Sequence, residues 1–196
     1  MRIEIRNDSV IIDGYVNAVA RDSRLIPSVK GKFKEQIVPK AFQRALEKTE
    51  NVDILLNHDK KRKLGSISQG NLELFEDNIG LRAIATITDS EVIEKARNKQ
   101  LRGWSFGFYA DKDRWEDIED GIQRRYVEEL ELTEVSIIDN TKLPAYSATS
   151  IETRADKELL NEIRTLDLEA RTVDNTKKVN EFDNSTYLKK IKLLKK

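Results

Sequence analysis

A single histidine, His58, stands in a chain of 196 residues that contains no cysteine. Imidazole is the side chain best suited to general-base work near neutral pH, and a serine hydroxyl is a poor nucleophile until such a base takes its proton. Two downstream segments supply the partners such a base needs. Trp104-Ser105-Phe106-Gly107-Phe108 offers a hydroxyl, and Leu132-Thr133-Glu134-Val135-Ser136 offers a carboxylate. Ser105, His58 and Glu134 thus have the types of nucleophile, base and orienting acid in serine-dependent acyl transfer.

Taken singly, each has an ordinary explanation. In a strand, Trp104, Phe106 and Phe108 share one face while Ser105, Gly107 and Tyr109 share the other, so Ser105 is either a nucleophile beside an open glycine or a serine in an aromatic strand. Leu130, Leu132, Glu134, Ser136 and Ile138 fall on one strand face, where an unpaired carboxylate would be costly. Glu134 therefore needs a partner, either an imidazole or a cation such as Arg102, or else a place at a barrel rim. His58, between Asn57 and a run of four basic residues, is by itself equally readable as a turn residue.

The elements that must position these groups are mostly strands. Arg2 to Ile5 and Val10 to Val19 read as a hairpin across the Asn7-Asp8-Ser9 turn, with Gly14 marking a bulge. Val52 to Leu56 is a β-prone run that ends at Asn57-His58, followed by the solvated basic turn Lys60 to Lys63. Leu64 to Ile67, Leu72 to Phe75, Leu81 to Ile87, Trp104 to Tyr109, Arg124 to Glu129 and Leu130 to Ile138 supply further strands. Helices are predicted from Val38 to Leu46, with Pro39 at its first position, and from a Thr88-to-Glu91 capping box to about Lys99. Short strands with short turns predict an α+β, mainly β fold: a small, mostly antiparallel β-barrel surrounded by helices, over residues 1–150.

Residues 151–196 contain no proline or glycine and read as a charged tail. Apolar residues at 159, 160, 163, 166 and 168 predict a helix near 155–171, then a mobile polar linker, then a basic amphipathic end with five lysines from Tyr187 to Lys196.

Composition excludes several classes. The 35 basic and 35 acidic residues cancel, which leaves no global electrostatic footprint for nucleic acid or an anionic membrane. No apolar run approaches the roughly 20 residues of a spanning helix, and the N-terminus lacks the pattern of a secretory signal, so the chain is expected to be soluble and cytoplasmic. One histidine without cysteine leaves little for a zinc site, and the scattered glycines form no phosphate loop, so no metal or other cofactor is expected. Acidic residues from Glu116 to Asp120 and from Glu128 to Glu134 would serve a paired-carboxylate hydrolase but read as solvated faces and turns.

One ordered series of motifs resembles a known family. Val38-Pro39-Lys40-Ala41-Phe42, Leu55-Leu56-Asn57-His58-Asp59 with Leu64-Gly65, Gly80-Leu81, Gly103 to Phe108, Leu132 to Ser136, and Leu143-Pro144-Ala145-Tyr146 together resemble the prohead, or capsid maturation, serine proteases of tailed bacteriophages. The resemblance spans about residues 10–150. It implies His58 as base and Ser105 as nucleophile, with Glu134 the best match for the acidic member, on a fold like that of the herpesvirus assembly proteases. It also implies a partner, the major capsid protein with its scaffolding segment, cleaved inside the procapsid in the host cytoplasm with accompanying self-cleavage; a homo-oligomeric state is compatible with it. The basic run Lys60 to Lys63 and the tail after Ile151 depart from the pattern. The rival reading is a non-catalytic β-barrel acting as a scaffold or capsid assembly module.

Overall fold

The alternation of apolar and polar residues near the N-terminus is realised as a hairpin in the computed structural model, which describes residues 1–28, 31–141, 159–162 and 171–174. Strands β1 (Arg2–Ile5) and β2 (Val10–Ala18) pair antiparallel with Ile3 opposite Ile12 and Ile5 opposite Val10, all four buried. Then follow β3 (Ile26–Ser28), β4 (Gly31–Ile37), α1 (Ala41–Lys48), β5 (Asp53–Leu56), β6 (Asp59–Ser66), β7 (Leu72–Glu76), β8 (Gly80–Ile87), α2 (Ser90–Arg97), β9 (Leu101–Asp117), β10 (Gln123–Asp139), β11 (Leu159–Glu162) and β12 (Arg171–Asp174). The mainly β, α+β class holds, with α1 and α2 the α-helices among the described residues. Neither is long and apolar enough to cross a membrane.

The expected barrel is not what forms. One sheet runs β12-β1-β2-β8-β7, and the second runs β11-β9-β10-β4-β3 with β5 and β6 branching from β10. The sheets are not closed into a barrel. The branch lies along one edge of β10, where Gln123 to Val127 pair in parallel with β4 and Glu134 to Ile137 pair in parallel with β5. An edge shared between two partners makes the sheet fork. The sheets bury Val16, Ile87, Trp104, Phe106, Val135 and Ile137 in a common core.

Several local expectations shift. Gly14 is regularly paired, and the register shift falls between Tyr15 and Asn17. A Cβ at Gly14 would lie 3.2 Å from Trp104 Nε1, so the missing side chain makes room for the indole. Helix α1 starts after Lys40, whose left-handed φ of 72° follows Pro39, and its first amides are capped from β7: Lys40 N and Gln43 N donate to Glu76 at 2.6 and 2.8 Å. Phe42 then packs edge-on against Phe106 at 5.3 Å between ring centres. For α2 the N-cap is Asp89 rather than Thr88, its carboxylate accepting from Val92 N at 3.0 Å.

The predicted last pair of strands is one strand, β10, and β9 runs on past Tyr109, where the predicted strand ended, as far as Asp117. The tail also differs where it is described. Leu159–Glu162, inside the predicted helix, is strand β11 on the edge of β9, and β12 at the start of the predicted linker pairs in parallel with β1. A sheet edge offers unpaired amides and carbonyls, which a short Leu-Leu segment satisfies as readily in a strand as in a helix. The rest of that helix and linker, and the basic end, lie outside the described residues.

Candidate active site

The β5–β6 connection is two residues long, with Leu56 paired to Asp59 across Asn57 and His58. Two-residue hairpins favour turns whose central residues both have positive φ, and Asn57 and His58 have φ of 56° and 61°. That conformation is unfavourable for non-glycine residues by roughly 1–3 kcal/mol each, so the surroundings must enforce it. They do so through β10. Asn57 N donates to Ile137 O at 2.9 Å, Asp139 N donates to Asn57 Oδ1 at 3.1 Å, and His58 N donates to Ser136 Oγ at 3.1 Å. The turn is tied down at successive points, which fixes where the imidazole can reach.

Ser105 and Glu134 arrive from β9 and β10. Ser136 is directly opposite Ser105 and Glu134 opposite Gly107, while Val135 faces Phe106 and Ile137 faces Trp104. Directly paired residues share a sheet face, so Ser105, Glu134 and Ser136 lie together and the aromatic side chains point into the core. Alternation alone would put Leu132 on the face of Glu134, contrary to what is found. Leu132 pairs with Phe108, and the register slips between Leu132 and Glu134. Thr133 is the extra residue of a bulge: before it Leu130 and Leu132 face the core, and after it Glu134 turns to Ser105. The carboxylate is thereby removed from apolar neighbours that would have opposed its charge.

The three predicted site residues meet. His58 Nε2 is 2.8 Å from Ser105 Oγ, and His58 Nδ1 is 2.6 Å from Glu134 Oε1. Ser136 Oγ donates to Glu134 Oε2 at 2.6 Å. An ionised carboxylate only accepts, so it holds the imidazole proton on Nδ1 and leaves Nε2 to accept from the Ser105 hydroxyl. Ser136 both receives the His58 amide and donates to Glu134, bracing base and acid with one side chain. Ser105 and Ser136 have no exposed surface, and the His58 and Glu134 side chains are 13% and 11% exposed. Arg102, the alternative partner for Glu134, is exposed.

A second buried group anchors the turn from behind. Asp139, 1% exposed, holds Lys95 of α2 at 2.8 Å and accepts from Thr141 N and Oγ1. Burial pushes its carboxyl up, but the bonds from Lys95 and Thr141 outweigh it and hold the pKa at about 2. Lys95 is correspondingly held above the usual lysine range by that bond. Sequence reading assigned no role to Asn57 or Asp139, and saw Ser136 only as a neighbour of Glu134. The available signals were the Asn-His pair at a hairpin tip and the two-residue spacing of Glu134 and Ser136.

The basic run is accommodated beside this turn. Between Leu55, paired with Lys63, and Leu56, paired with Asp59, residues 60–62 form an excursion from the β6 ladder. Arg62 reaches Asp89 and Glu91 at the start of α2, and Lys63 reaches Asp53. The arrangement as a whole can do one kind of chemistry well: removal of the Ser105 proton by His58 with the resulting positive charge supported by Glu134.

A family model described as caudovirus prohead serine protease matches residues 1–162. No curated protein and no solved structure matches the chain.

Proposed function

The chain belongs to the caudovirus prohead serine protease family, and from that premise we propose that Ser105 is its nucleophile, His58 its general base and Glu134 the acid that orients His58. The enzyme is a serine peptidase acting in capsid maturation. The observation that carries the residue assignment is the continuous chain of short contacts from Ser105 Oγ through both ring nitrogens of His58 to Glu134.

In this mechanism Ser105 Oγ attacks the peptide carbonyl carbon while its proton passes to His58 Nε2. The tetrahedral intermediate collapses as the C–N bond breaks, and the imidazolium returns that proton to the leaving amine. Water then repeats the sequence on the acyl-enzyme, with His58 again taking and returning a proton, to release the acid and restore Ser105. Glu134 keeps the proton on Nδ1 and stabilises the transient imidazolium. Backbone amides serve as the oxyanion donors.

The proposed substrate is the scaffolding segment of the major capsid protein, cut inside the procapsid in the host cytoplasm, with self-cleavage of the protease itself. Residues 1–150 are the proposed protease body, and 151–196 a tail that lends β11 and β12 to its sheets. Co-expression with the capsid precursor tests the assignment. Ser105→Ala should reduce cleavage by about 10⁴-fold or more, with the fold unchanged by circular dichroism. Cleavage at the original rate would remove Ser105 from its role.

A further inference from the structure

A nucleophile that reacts must touch the carbon it attacks, at about 3–3.5 Å in a productive complex. Ser105 has no accessible surface. Whatever covers it has to yield before any peptide reaches it, so the strands beside Ser105 bear on how substrate enters. On one side β9 is paired with β10. On the other, β11 pairs antiparallel with Phe106 to Tyr109, with Leu159 opposite Tyr109, Leu160 opposite Phe108, Asn161 opposite Gly107 and Glu162 opposite Phe106.

The direction of β11 matters. It runs from Tyr109 toward Ser105, so an extended peptide that continues its register by one residue comes opposite Ser105, one strand spacing of about 4.8 Å away. An edge strand recognises such a peptide through main-chain hydrogen bonds and so accepts many sequences, while side chains set the preference. A protease that cuts extended, unfolded segments needs a surface with these properties beside its nucleophile. The β9 edge has them, and a segment of the same chain lies on it.

We propose that the outer edge of β9 from Phe106 to Tyr109 is the docking strand for the extended peptide the enzyme cuts, and that β11 is its resident occupant. The inference rests on Ser105 being the nucleophile. Substrate must displace β11 to bind, and β11 itself is bound in the manner of a substrate segment leading toward the reacting serine. Any ligand of this edge is an extended peptide with free amides, so proline at pairing positions should exclude it.

The absence of cysteine from the 196 residues makes this testable by a designed disulfide. Tyr109 and Leu159 are direct cross-strand partners, and their expected Cα separation of about 4.5–5.5 Å suits a disulfide. In Tyr109→Cys/Leu159→Cys, oxidation should lock β11 in place. Cleavage of the capsid precursor and labelling of Ser105 by a fluorophosphonate probe should both fall at least about tenfold, a change of 1.4 kcal/mol or more in barrier, and recover on reduction. Each single-cysteine variant should be insensitive to reductant. Failure of the disulfide to form would overturn the seating of β11, and equal cleavage by the oxidised and reduced forms would overturn its role on the docking edge. If wild type and reduced variant alike leave Ser105 unlabelled and the precursor uncut, the nucleophile assignment falls and this inference with it.

Discussion

β9 and β10 form one continuous ladder, yet its two halves obey opposite rules. From Gly103 to Phe108, and from Glu134 to Asp139 opposite, every residue is buried, with Ser105, Glu134 and Ser136 in one network around His58 and Asp139 bound to Lys95 behind it. From Asp111 to Asp117 β9 is exposed throughout. There the strands are held by side chains reaching across: Lys112 and Arg114 pair with Glu128, Arg114 stacks 3.6 Å above the Tyr126 ring, and Trp115 packs on Phe33. The secondary structure is the same, but the surrounding medium is not. Exposed ion pairs are worth about 0–1 kcal/mol each, whereas buried polar groups depend on each partner they have. Substitutions should therefore alter chemistry at one end and, at most, stability at the other.

The widest separation between the halves is expected from Glu134→Gln. The amide can no longer hold the Nδ1 proton as a carboxylate does, so turnover should drop by about 10³–10⁴-fold while urea unfolding changes little. Loss of less than about threefold would end the orienting role. Next comes Ser136→Ala, which removes the brace between His58 N and Glu134 Oε2. About a tenfold fall in kcat with KM retained is expected, with about 1–3 kcal/mol of stability lost, and Ser136→Thr should restore part of kcat because it keeps the hydroxyl. A stability loss with unchanged kcat would reduce Ser136 to a structural residue.

In the exposed half the largest effect should come from Arg125, which joins Asp113 at 2.6 Å to the buried carboxylate of Glu35 at 3.3 Å. Arg125→Ala deprives Glu35 of that cation and should cost about 2–4 kcal/mol, measured by denaturant unfolding, with kcat unaltered. A fall in kcat matching that of Ser136→Ala would mean the two halves are mechanically coupled, and the contrast drawn between them would fail.

The unequal legibility of the halves has the same origin. Residue types and strand alternation near His58, Ser105 and Glu134 pointed to one chemistry, because a lone base, a serine beside a glycine and a carboxylate needing a partner each carry a local signal. Their convergence depends on long-range features with no such signal. A bulge is one residue of register, so Thr133 looks like any strand residue until β9 is laid beside it. The forked pairing of β10 with β4 and β5 joins segments far apart in sequence, and short strands alone suggested closure instead. The exposed part of β9 from Asp111 to Asp117 lies beyond the predicted strand because its strand character comes from cross-strand charge and aromatic pairs rather than from apolar alternation. β11 and β12 belong to the same class, since their pairing is with β9 and β1, far from their own neighbours in sequence.

Acid offers the finest test, because Asp139 anchors the buried half through its charge. Its carboxyl titrates at about 2 in the folded chain and near 3.9 in an unfolded one. A carboxyl with a depressed folded pKa binds protons less readily when folded, so its contribution is complete above the unfolded value and is lost as pH falls through the folded one. That contribution is about 2–3 kcal/mol. The gap in unfolding free energy between wild type and Asp139→Asn should thus stay flat from pH 7 to about 5, narrow below about 4, and nearly vanish near 2. Arg125→Ala should leave that narrowing in place, because the Lys95–Asp139 pair lies at the other end of the ladder. A gap that persists at pH 2 would show that Asp139 anchors the turn by shape and hydrogen bonding rather than by charge, and the buried half would then owe less to electrostatics than its network suggests.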